Sequence, residues 1–186
     1  MILSTNKGFT LIEIVIVIIL VGIIGSMAAS MLFQGSDIFI QETNRQGFVS
    51  ESRSAFWRIL RETQGQASSA DFVQSDQNKI HLKNGKNDQK EFRIESSGDF
   101  DIRLGNGNYN SLSNSIVTSN NKGFFFYDNN FSLISPSSSG LSLEQAKDIR
   151  ITKLDLKFTK DEDNLFLSSF VYPNNFRFGQ KMSYHN

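Results

Sequence analysis

Residues 14–33 read "IVIVIILVGIIGSMAASMLF", twenty in a row with neither a charge nor a proline. As a helix at 1.5 Å per residue the run spans about 30 Å, the hydrocarbon thickness of a bilayer. Ile and Val are mediocre helix formers in water, but in lipid the backbone must satisfy its own hydrogen bonds, and helix is the outcome. The chain's two prolines are Pro136 and Pro173, so nothing breaks a helix in the first 135 residues. Lys7 precedes the run, whereas Asp37 and Glu42 follow it before the next base, Arg45. The bias of basic residues toward the cytoplasm then places the N-terminus inside and the remainder outside.

Composition removes several classes of function. The 186 residues carry 19 basic and 19 acidic side chains, with the basic ones scattered. That balance lacks the basic stripe of a nucleic-acid footprint, so nucleic acid is not an expected partner. With no cysteine, a disulfide scaffold, a thiolate metal site and a cysteine nucleophile are all excluded. His81 and His185 stand apart from any Ser–Asp or carboxylate arrangement, which leaves no hydrolase constellation. The stretch "GNGNYN" lacks the lysine and the strand-to-helix context of a phosphate loop. Neither an enzymatic activity nor a cofactor or metal is expected.

One carboxylate, Glu13, stands at the mouth of the apolar run, in "KGFTLIE" (7–13). An ionisable group at membrane depth is costly and marks a functional site by default. Two plainer readings compete with that. One is a membrane anchor with Glu13 near the interface. The other is a cleaved secretory signal, with "MILSTNK" as its basic region and "SMAAS" offering a cut near Ala28. A signal peptide gains nothing from Glu13, and the helical pattern runs on past the supposed cut.

"KGFTLIE" followed by a long apolar run resembles the class III signal of type IV prepilins and type II secretion pseudopilins. The resemblance implies a leader over residues 1–8, cut by a prepilin peptidase between Gly8 and Phe9, with N-methylation of Phe9. Glu13 matches the family's glutamate, which pairs with the N-terminal amine of a neighbouring subunit during assembly. A lone carboxylate in low dielectric is expensive, and a partner charge offsets much of the cost. Gly22 falls where many members carry a glycine. Gly22, Gly25, Ala28 and Ala29 would let neighbouring helices approach closely. The proline that kinks many major pilins in this helix is absent.

Beyond the apolar run, Phe48, Ser52, Ala55 or Phe56, Ile59 and Thr63 recur at spacings of three and four, with Val49 and Leu60 widening the stripe. This predicts an amphipathic helix over 34–66, ending near Gly65 and continuous with the membrane helix. From Asp71 the period becomes two: "KIHLK", "EFRIE", "FDIRL", then "GFFFYDNNFSLIS", and finally the pair "IRITKLDLKFT" and "NLFLSSFVY" joined by "KDEDN". Residues 105–122 read as a polar loop, one helical turn is expected near Leu143, and the strands of 149–172 are expected to sit centrally. His81 should face away from Ile80 and Leu82 into solvent. "TKDEDN" and "DNN" carry oxygen ligands for calcium but no EF-hand spacing, and read as hairpin turns.

The expected architecture is α+β: a leader (1–8), a transmembrane helix (9–33), an amphipathic helix (34–66) and a β-rich head (67–186), with the long helix packed on an antiparallel sheet. "QGFVSESRSAFWRILRET" is similar to a stretch of J-type minor pseudopilins and related minor pilins, including those of mannose-sensitive haemagglutinin pili, and "FVYPNNFRF" is like their C-terminal strand. The function this implies is a minor pilin or pseudopilin that primes or tips a filament. Its partners would be prepilin peptidase, sibling pilins, the inner-membrane assembly platform and membrane lipid. The alternative is an exported or membrane-anchored binding or adhesion head outside any filament.

Overall fold

In the computed structural model, residues 8–119 and 121–178 are described. The expected leader, apart from Gly8, and His185 lie outside them. The helix α1 (Leu11–Gln64) carries one unbroken ladder through Gly35 and Gly47. The chain divides into two compact units, one up to Gln46 and one from Gly47 onward. In the first, every described side chain is exposed, including the whole apolar run.

The second unit opens with the C-terminal turns of α1, whose inward face is Phe48, Ser52, Ala55, Phe56, Ile59, Leu60 and Thr63, the stripe that the spacing predicts. The helix ends where Gly65 donates its N–H to the carbonyls of Arg61 and Glu62. Two four-stranded antiparallel sheets complete the unit. The first has the order β1 (Lys79–Lys83), β2 (Gln89–Ile94), β3 (Phe100–Leu104), β4 (Tyr109–Ser113). The second runs β6 (Leu133–Ile134), β5 (Gly123–Tyr127), β7 (Ile151–Lys160), β8 (Asp163–Val171). A short helix α2 (Leu143–Asp148) carries a full capping box between Ser142 and Gln145. The arrangement is α+β, as expected.

One core serves both sheets. Phe92 stacks on Phe100 within the first, and Phe100 meets Phe158 of β7 edge-on at 6.5 Å. Phe72 packs on Phe126 at 5.6 Å. All five of these rings are buried. Burying each contributes about 1.5–3 kcal/mol.

Two expectations need correction. Residues 105–122 are not all loop, because β4 pairs with β3 across a bulge at Phe100/Asp101. Its Asn- and Ser-rich sequence has little strand propensity, and the partner strand supplies the order. Of the two strands within 149–172 expected to be central, β7 is internal and β8 is an edge strand. Strand length does not decide that position, since β8 lies beside the Arg53–Trp57 side of α1 rather than beside another strand.

Candidate functional site

Gly8, Phe9 and Thr10 lie ahead of α1 and are exposed. The carbonyl of Thr10 accepts the first helical hydrogen bond, from Ile14 N–H. The N–H and the hydroxyl of Thr10 both donate to Oε2 of Glu13 at 2.8 Å, and the Thr10 hydroxyl oxygen accepts from Glu13 N–H at 3.4 Å. This reciprocal pairing is a capping box, which satisfies donors that a helix start leaves open. The signal for Thr10 in the sequence is T-x-x-E ahead of an apolar run, the signature of that motif. Glu13 thus has a local structural role before any partner is considered.

Along the exposed helix, an added side chain would meet nothing within 4 Å at Gly22 or Gly25. At 100° per residue, Gly22, Gly25, Ser26 and Ala29 share one stripe, and Ala28 lies about a third of a turn away from Gly22. The Ser26 hydroxyl donates back to the Ile23 carbonyl at 2.8 Å, so it adds no unsatisfied donor to that stripe. A surface this apolar, with no residue buried, suits a surrounding of lipid or other helices.

In the head, the solvent-side face of the first sheet carries a polar cluster. Register puts His81 beside Glu91, Glu91 beside Arg103 and Arg103 beside Tyr109. The Glu91 carboxylate accepts from Arg103 Nη2 and from the Tyr109 hydroxyl, and lies 3.6 Å from His81 Nδ1. The Arg93 guanidinium lies 3.7 Å from the Tyr109 ring centroid and pairs with Asp101 at 2.9 Å. His81 faces away from Ile80 and Leu82 as the alternation predicts, yet it is half-buried and its Nε2 has no hydrogen-bond partner among the described residues. Burial pushes its pKa down more than the neighbouring Glu91 pulls it up. Burial raises the Glu91 carboxyl, but Tyr109, His81 and Arg103 together outweigh that and hold it below its ordinary range.

The two calcium-like stretches are tied as turns. Asp128 Oδ1 accepts from the N–H groups of Asn130 and Ser132, each at 2.8 Å. Thr159 donates to Asn164 across the β7–β8 turn, where Asp161 has φ +53. No three His, Asp or Glu side chains among the described residues converge as metal ligands. Of the run "FFFY", Phe124 and Phe126 are core, and Phe125 and Tyr127 face outward.

The model of the prokaryotic N-terminal methylation motif matches residues 3–29. No curated protein and no solved structure matches the chain. The matched segment contains "KGFTLIE", the capping box and most of the apolar run. One helix among the described residues is long and apolar enough to cross a membrane, and it includes that run. The N-terminus therefore carries a type IV pilin-like prepilin signal, which implies processing by a prepilin peptidase and assembly with other pilins, and fits a single-pass, membrane-anchored protein.

Proposed function

We propose that this chain is a minor pilin or pseudopilin, a structural subunit without catalysis of its own that helps to prime or tip a type IV pilus or type II secretion pseudopilus. Its leader is residues 1–8, cut between Gly8 and Phe9, with Phe9 then N-methylated. Residues 9–33 span the inner membrane with the N-terminus in the cytoplasm, 34–66 continue as the amphipathic helix, and 67–186 form the head outside. Before assembly it waits there as a single-pass protein, in contact with lipid and the assembly platform.

One observation carries the reading: Glu13 is held at the start of a helix whose next twenty residues are exposed and uncharged, one turn after the cleavage signal. Thr10 uses Oε2, which leaves Oε1 to face the N-terminal amine of a neighbouring subunit. Gly22, Gly25 and Ala29, with Ala28 at the side, form the surface on which sibling helices pack. The J-type likeness of the stretch around Arg53 and Arg61 favours a minor over a major subunit.

The test is intact-mass and N-terminal peptide analysis of protein recovered from its native cell. A chain beginning at N-methyl-Phe9, and lost on Gly8→Glu, is the expected result. A chain beginning near Ala29 would make it an exported head, and a chain beginning at Met1 a plain anchored one.

A further inference from the structure

The edge strand β8 has β7 on one side and no strand on the other among the described residues. Natural edges are usually blunted by a lysine, a proline, a bulge or a covering helix; here a groove separates β8 from the neighbouring turns of α1. Residues 164–171, "NLFLSSFV", carry no charge and no proline, and the register with β7 runs unbroken from Thr152↔Val171 to Lys160↔Asp163. Phe166 and Phe170 are more than half exposed, at 58% and 57%. Beside this open edge, α1 presents Arg53, Phe56, Trp57 and Leu60, the i, i+3, i+4, i+7 face of two turns, and the two elements border a groove of about 480 Å³. Trp57, the single tryptophan, is 63% exposed there. Arg53 lines the same groove as a cation with no carboxylate partner among the described residues.

We infer that this groove receives an extended, carboxylate-bearing peptide segment of another protein, which adds to β8 as a fifth strand. The edge supplies main-chain hydrogen bonds, and pockets for alternate side chains supply selectivity, the general mode of strand addition. One row of the incoming side chains lies against Trp57, Phe56 and Leu60. A carboxylate in that row meets Arg53, whose planar fork suits it. Arg53 in the groove, and Lys122, Lys153 and Lys157 over the Phe166 and Phe170 rings of the same strand, favour an acidic segment, and the open main-chain edge selects an extended peptide over a lipid surface. The site belongs to the head and stands whether or not residues 1–8 are removed.

The experiment uses the full chain in nanodiscs and a displayed library of nine-residue peptides, with the emission of Trp57 as the intrinsic reporter. Enriched peptides should alternate apolar and polar residues and contain Asp or Glu. As synthetic peptides they should shift Trp57 emission to the blue. Binding should weaken at least tenfold on Arg53→Glu, and should vanish when alternate peptide amides are N-methylated, a change that leaves the protein itself untouched. Arg53 and Trp57 are exposed, so Arg53→Glu and Trp57→Phe heads should keep their circular dichroism. No enrichment, or binding indifferent both to Arg53→Glu and to amide methylation, overturns the inference. So does enrichment of basic peptides, or a blue shift with anionic vesicles and none with peptides.

Discussion

Thr10 converges on one oxygen of Glu13 with both its N–H and its hydroxyl, each at 2.8 Å. Cleavage after Gly8 would leave this pairing intact, because Thr10 keeps its amide when Phe9 becomes the first residue. The membrane helix thus brings its own partner for the carboxylate, which lowers the cost of holding Glu13 at the mouth of an apolar segment. The cap and the proposed assembly contact can be separated by substitution. Thr10→Ala removes the capping hydroxyl and should cost about 1 kcal/mol at the helix start. It should raise amide exchange at residues 11–14 in nanodiscs while filament incorporation is retained. Glu13→Gln keeps a capping side chain, since glutamine serves at this position, but removes the charge. It should leave exchange unchanged and lower incorporation.

Gly123 shows how closely the head is built. Its φ is +131, and an added Cβ would lie 2.2 Å from the Gln77 carbonyl oxygen, which accepts a hydrogen bond from Phe124 N–H at 2.8 Å. Gly123→Ala should cost on the order of 1–3 kcal/mol from the backbone conformation alone, with the clash added. Gly85 has open space and no positive φ, so Gly85→Ala should be close to neutral. Urea unfolding followed by Trp57 emission distinguishes the two.

Phe100 joins the sheets by touching Phe92 on its own side and Phe158 across the core. Phe100→Ala should cost about 3–5 kcal/mol, the range for removing a buried ring. Because the core is shared, amide protection in β2 and in β7 should fall together. Loss confined to the first sheet would show that the two sheets unfold independently.

The elements with a clean period were legible: the α1 face from Phe48 to Thr63, and the alternating strands β1, β2, β3, β7 and β8. β4 was not, because "YNSLS" has no apolar alternation and its order comes from β3 and from the contact of Tyr109 with Glu91. Register is normally set by the apolar alternation and the turn, and β4 lacks the alternation while a bulge at Phe100/Asp101 shifts its pairing. The division into two sheets depends on the same long-range pairing, including the bridge from Ile116 to Phe158. The capping box is written in "TLIE", with Thr10 at the N-cap and Glu13 three residues on.

The cluster around Glu91 gives the head an acid sensitivity. His81 faces Glu91 and Arg103 on its own sheet and feels Lys79 and Asp76 beside it, and burial sets the net direction, holding its folded pKa below the ordinary value of 6.5. An unfolded chain then takes up a proton that the folded chain refuses. Stability is therefore full above about pH 6.5 and falls as the pH drops from there toward the folded pKa. Glu91 adds a second, lower phase. Its carboxyl is held below the ordinary 4.5, so the stability it contributes is present above that value and is lost as pH falls through the folded pKa. The expected result is a urea midpoint that declines between pH 7 and 5 and declines again below pH 4.5. His81→Gln should flatten the upper phase and leave the lower one in place. Glu91→Gln should shrink the lower phase, to which Asp155, raised by burial but held low overall by Lys122 and Lys153, also contributes. It should also destabilise at pH 7 by about 1–3 kcal/mol, because Arg103 and Tyr109 lose an ionised acceptor. A midpoint in His81→Gln that still falls between pH 7 and 5 as it does in the unaltered chain would assign the sensitivity to another group.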